Sequence, residues 1–169
     1  DIVTLSDLNR STFYSHFQDK EALLNAVTDE LLDGIVDSIQ LSSPVKEENE
    51  DASFPPTGSM FQLLSYVADH SSYLKVLFNT ERMPQFMMRL SHILYDFYYS
   101  ELDDHPACTD QRKMNKGFVA NYISSVIVGF IYHWVVSTIL KYSPAYLAEE
   151  LTKILTVKLD IPFLWPQSN

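Results

Sequence analysis

Hydrophobic positions recur at helical spacing through most of the chain. From Lys20 onward, Leu23, Val27, Leu31, Ile35 and Ile39 fall every four residues, with Leu24, Leu32 and Val36 beside them. This predicts a long amphipathic helix, with Asp19 as its N-cap and Glu21 in its first turn. The acids Asp29, Glu30, Asp33 and Asp37 take other positions and read as a solvated face. Residues 41–58 break the pattern: Ser42-Ser43-Pro44, the acidic run from Lys46 to Asp51, and Pro55-Pro56-Thr57-Gly58 read as a loop. Helical spacing returns in Met60, Phe61, Leu64 and Val67. It continues in a short helix holding Tyr73, Leu74, Leu77 and Phe78. Pro84 suits a helix N1 position and opens a segment with Phe86, Leu90, Ile93 or Leu94, and Phe97, ending near Asp103.

The longest predicted helix runs from about Thr109 to Lys141. Met114, Phe118, Tyr122, Val126, Phe130 and Trp134 form one expected stripe, and Ile123, Ile127, Ile131, Val135 and Ile139 another. Pro144 opens a last helix with Leu147, Leu151 and Ile154 or Leu155. No period-two pattern competes, so the expected fold is all-α.

Residues 118–140 contain no Asp, Glu, Lys or Arg, and about 20 mostly apolar residues suffice to span a bilayer. Asn121, Ser124, Ser125 and His133 would then lie near hydrocarbon depth, which is costly. A soluble helix buried on nearly all sides has the same composition. The expectation is therefore a soluble bundle with no membrane partner, in the cytoplasm.

Composition narrows the chemistry. The chain of 169 residues is 46% hydrophobic, enough for a packed core, and carries a net charge of −10. An acidic surface does not attract nucleic acid over its whole area, so any such contact must be local. The single cysteine, Cys108, excludes an internal disulfide and a Cys-rich zinc site. His16, His70, His92, His105 and His133 contain no i, i+4 pair, so no helical metal site, cofactor or enzymatic constellation is expected.

The first residues carry the most specific chemistry. Asn9 is a fitting N-cap, and Phe13 and Phe17 share one face of a short helix. A turn followed by a short helix with polar residues at its start is the geometry of a helix-turn-helix reader, whose second helix enters the major groove N-terminal end first. Asn9, Arg10, Ser11 and Thr12 stand at that end; Arg pairs with guanine, Asn with adenine. Lys20 is placed to reach a phosphate. Spacing alone equally fits a short capped helix in a bundle.

The run Leu8-Asn9-Arg10-Ser11-Thr12-Phe13-Tyr14-Ser15-His16-Phe17-Gln18-Asp19-Lys20-Glu21-Ala22-Leu23-Leu24, with Asp1 and Ile2 before it, closely resembles the N-terminal signature of TetR-family transcriptional regulators. The resemblance implies that Asp1–Leu5 is the end of a second helix, Ser6-Asp7-Leu8 the turn, and Asn9–Phe17 the recognition helix. Tyr14 and His16 match positions that touch the DNA backbone, and Lys20 matches the lysine opening the fourth helix. Ser6-Asp7 stands where the family usually has Ala-Gly. The family's first helix has no counterpart, so the sequence reads as N-terminally truncated or lacking an earlier part. Residues 1–19 are then a partial DNA-binding domain, and 20–169 a helical ligand-binding and dimerisation domain.

In that family the later helices form a ligand pocket and a dimer interface. The expected pocket residues are Phe61, Tyr66, Phe86, Met87, His92, Tyr95, Tyr99, Asn121 and Tyr122, with His133 a further polar anchor. Ordinary core packing is the competing reading for each. The expected ligand is small, lipophilic, and uncharged or weakly acidic. Symmetric reading of a palindromic operator on double-stranded DNA requires a homodimer. Gly129, Val136, Leu147, Leu151 and Ile154 are its expected interface residues. The functional expectation is a ligand-controlled DNA-binding regulator, in the sense of a repressor. The alternative is a helical co-regulator or protein-interaction module without DNA reading.

Overall fold

The structure, a computed structural model, describes residues 19–40, 57–103, 115–137 and 142–156. Among these, every regular element is a helix: α1 (Lys20–Gln40), α2 (Thr57–Asp69), α3 (Ser71–Phe78), α4 (Met83–Glu101), α5 (Lys116–Val136) and α6 (Pro144–Thr156). The all-α expectation holds.

The helix starts follow from capping chemistry. Asp19 Oδ1 accepts the Ala22 amide at 2.7 Å, satisfying a donor that the first turn of α1 leaves open. Asn115, in an extended conformation, accepts the Phe118 amide at 3.3 Å and starts α5. Ser143 accepts the Tyr146 amide at 3.3 Å, with Pro144 at the first helical position of α6. Pro84 stands in the first turn of α4. Between α2 and α3 the chain bends at His70, whose backbone amide still bonds Tyr66 O at 3.0 Å.

α5 departs from expectation at both ends. It begins at Lys116, not near Thr109, and stops at Val136, not Lys141. At the C-terminal end Ser137 turns extended (φ −80°, ψ 152°), and its hydroxyl bonds His133 O, closing the ladder.

The core joins all six helices. α1 contributes Leu31, Leu32, Ile35 and Ile39; α2 Met60, Leu63, Leu64 and Val67; α3 Leu74, Leu77 and Phe78; α4 Phe86, Leu90, Leu94 and Tyr98. α5 adds Ala120, Ile123, Ile127, Ile131, Trp134 and Val135, and α6 adds Leu147, Ala148 and Leu151. The most extensive pairings are α4 on α5, α2 on α6, and α1 on α2. Burial, with Glu101 adding to it, pushes the Tyr98 hydroxyl far above the usual phenol range, so it stays protonated.

α5 is long and apolar enough, by length and composition, to cross a membrane. Its inward side is core. The expected stripe from Met114 to Trp134 is not a single face, however: Phe118 is 78% exposed and Tyr122 46%, while Trp134 is buried. Four residues advance a helix by about 40° beyond a full turn. Four such steps carry Phe118 roughly 160° from Trp134, to nearly the opposite side.

Candidate functional site

Two places stand out: a cavity against α1 and the outward face of α5.

The cavity, about 360 Å³, is bounded by Val27, Glu30 and Leu31 of α1, Tyr66 of α2, His70 at the α2–α3 bend, and Tyr73 of α3. Small-molecule sites run from roughly 300 to 1,000 Å³, so this one lies at the small end. Spacings of three and four residues put Val27, Glu30 and Leu31 on one face of α1, and the i, i+4 spacing puts Tyr66 above His70. The Tyr66 and His70 rings stack at 4.0 Å, and His70 lies 6.4 Å from Tyr73. His70 Nδ1 is 2.9 Å from Tyr66 O. A carbonyl can only accept, so Nδ1 carries the hydrogen, and Nε2 is the acceptor of the neutral ring.

Tyr66 reaches this position because of Gly34. A Cβ at Gly34 would stand 2.1 Å from the Tyr66 hydroxyl oxygen and 2.3 Å from the ring carbon that bears it, too close for the ring to stay where it is. The missing side chain lets the ring lie across α1, with its hydroxyl 3.5 Å from Glu30 O. Burial raises the pKa of that hydroxyl, and Glu30, Asp37 and Asp33 raise it further. The phenol therefore remains a donor in a locally negative field.

Two contacts tie α1 to the α3–α4 region. Arg82 binds Glu21 and Asn25 in the first turns of α1. Arg89 of α4 meets Asp29 at 2.6 Å. Between them they engage Glu21 and Asp29; among the described residues, no cation pairs with Glu30, Asp33 or Asp37.

The second place is on α5. Phe118, Tyr122, Ser125, Gly129, Tyr132 and Val136 are all exposed. They alternate by four and three residues, the spacing of a straight seam between packed helices. None is charged. Gly129 has nothing within 4 Å of where its Cβ would stand. An interior helix glycine costs about 1 kcal/mol relative to alanine, and nothing among the described residues explains it. Ile154 is exposed on α6.

The expected site residues are scattered over these surfaces. Asn9, Arg10, Ser11, Thr12, Tyr14 and His16 lie outside the described residues; Lys20 is exposed at the first position of α1. Of the expected pocket residues, only Tyr66 lines the cavity. Phe86 is core, edge-on to Phe78 at 5.8 Å. Met87 is half-buried, and Phe61 and His92 are exposed. Tyr95 stacks on Tyr99 at 5.6 Å; Lys116 lies 3.8 Å over the Tyr99 ring and pairs with Asp103, so this cluster is satisfied among its own members. Asn121, Tyr122 and His133 are exposed on α5. Of the expected interface residues, Gly129, Val136 and Ile154 are exposed, whereas Leu147 and Leu151 are buried in the core of the subunit itself.

Sequence reasoning passed over Val27, Glu30, Leu31, His70 and Tyr73 as cavity residues. The signal was faint: Glu30 resembles its acidic neighbours, and Tyr73 resembles a core position until the fold leaves it 60% exposed.

Residues 56–157 match the TetR family described as transcriptional regulator C-terminal region. The match covers more than half of the chain. The chain belongs to this family and is a transcriptional regulator, a class that suggests regulation in place of catalysis. No curated protein and no solved structure matches the chain.

Proposed function

We propose that the protein is a homodimeric, DNA-binding repressor whose operator affinity is controlled by a small molecule with a lipophilic body. The observation that carries the reading is the uncharged α5 seam, with Gly129 at its centre and no reason for that glycine among the described residues. A second copy of the same seam across a two-fold axis would cover Phe118, Tyr122, Tyr132 and Val136, burying aromatic surface that water otherwise solvates. Dimerisation would set two copies of Asn9–Phe17 on one DNA duplex, with Arg10 reading bases and Tyr14, His16 and Lys20 on the backbone.

Control acts through α1. This helix follows directly from the reading segment, walls the cavity with Val27, Glu30 and Leu31, and is held by Arg82 and Arg89. A ligand that fits one tilt of α1 better than another shifts the spacing of the two readers by that difference in affinity.

Gly129→Arg tests the core of the reading. The subunit has open space at this position, so the monomer retains its helicity, while two guanidinium groups meet at the seam. Light scattering should show a dimer converted to a monomer, and a gel shift on the protein's own upstream DNA at low salt should show binding lost. A variant that remains dimeric would refute the seam. A wild-type dimer that does not bind this DNA would leave the co-regulator function in its place.

A further inference from the structure

We infer that the cavity between α1, α2 and α3 takes a protonated amine with an apolar or aromatic body. The inference deepens the ligand control proposed above and rests on it.

The wall is made of acceptors and aromatic surface. Glu30 supplies a carboxylate, and His70, with Nδ1 committed to Tyr66 O, offers Nε2 as an acceptor. Tyr73 offers the face of a largely exposed ring, and Val27 and Leu31 provide an aliphatic floor. A cation over an aromatic face is attracted by the ring quadrupole, and the attraction grows as water is excluded. Among the described residues, no Lys or Arg lines the cavity.

The charge pattern on α1 separates this site from an ordinary acidic surface. Glu21 and Asp29 are engaged by Arg82 and Arg89. On the Tyr66 side, Glu30, Asp33 and Asp37 have no cationic partner among the described residues, and all three act on the Tyr66 hydroxyl. A carboxylate ligand would enter against this field; a neutral ligand would leave Glu30 unanswered. An ammonium group can donate to Glu30 and to His70 Nε2 while its body lies on Tyr73 and Leu31. An amine replaces the uncharged or weakly acidic ligand expected from the sequence because Glu30 stands in the wall.

Three probes of matched size test the inference by calorimetry and thermal shift on the whole chain: 2-phenylethylammonium, 2-phenylethanol and phenylacetate. The ammonium should bind about tenfold more tightly than the alcohol, and phenylacetate weakest of all. Glu30→Gln, at an exposed position where folding is unaffected, should weaken the ammonium about tenfold and leave the alcohol unchanged. Tyr73→Ala should weaken the ammonium more than the alcohol. If the alcohol or the acid binds as tightly as the ammonium, or Glu30→Gln leaves the ammonium affinity unaltered, the amine assignment is overturned while the cavity remains a ligand site. If no probe of any charge binds, ligand control through this cavity falls with it.

Discussion

α1 and α5 are both 21 residues long, both bury one side in the core, and both carry an interior glycine. Their outward sides differ completely. α1 turns acids to solvent, two of them bridged to arginines across the fold. α5 turns out Phe118, Tyr122, Tyr132 and Val136, with no charge among them. The glycines divide the same way. Gly34 is occupied from within the subunit by Tyr66, whereas Gly129 faces open space. A glycine filled from inside serves the fold and its cavity. A glycine facing outward on an uncharged helix face fits the proposed contact with another chain. In the function proposed above, α1 is the element that moves within a subunit and α5 the element that a second copy covers.

The largest effect expected within this comparison is on the inward side of α5. Ile127 is fully buried. Ile127→Ala should cost about 2–5 kcal/mol, the lost burial plus the cavity left behind. Urea unfolding at fixed protein concentration measures it, since the proposed dimerisation would make apparent stability concentration-dependent. A loss well under 1 kcal/mol would mean that α5 is not packed as a core helix.

A smaller and more diagnostic effect is expected at Gly34. Alanine is the better helix former by up to about 1 kcal/mol. At Gly34, however, the new methyl meets the end of the Tyr66 side chain, which must swing aside. Gly34→Ala should therefore displace the ring and deform the cavity wall, and the lost ring contacts should offset part or all of the propensity gain. In a Tyr66→Ala background the same substitution should stabilise by up to about 1 kcal/mol more than it does in the wild type. If Gly34→Ala has the same effect on stability in both backgrounds, Tyr66 does not lie across α1.

Much of the architecture was legible in the sequence because helix starts and core faces are local properties. Asp19 caps α1 as expected, Pro84 and Pro144 lie in first turns, and Leu31, Ile35, Ile39, Leu90, Leu94 and Leu151 are core. What failed was the assumption that every-fourth spacing keeps one face. Over a helix as long as α5 the drift rotates Phe118 out of the core. The cavity was less legible still. It depends on the meeting of α1 with α2, elements separated by sixteen residues in the sequence, and on an absent atom at Gly34. Neither Glu30 nor Tyr73 differs by type from its neighbours; only tertiary placement sets them apart. The family resemblance at residues 1–24 and the match over 56–157 describe different parts of the chain, and both give the same class.

The smallest expected effect concerns the link between α1 and α4. Arg89 and Asp29 are each about half exposed, with side-chain accessibilities of 43% and 55%. An ion pair in such surroundings contributes about 0–1 kcal/mol, because water screens the attraction and two long side chains must be ordered. Arg89→Ala should thus lower stability by less than about 1 kcal/mol at low salt. At about 1 M salt the Debye length falls to roughly 3 Å, and the difference from wild type should shrink toward zero. Operator affinity should nonetheless change, because α1 loses one of its two cationic tethers while Arg82 remains. A loss near 2 kcal/mol that persists in high salt would show that Arg89 acts through its aliphatic stem against neighbouring side chains. In that case the contrast between a charged, movable α1 and an uncharged, covered α5 would no longer hold at this contact.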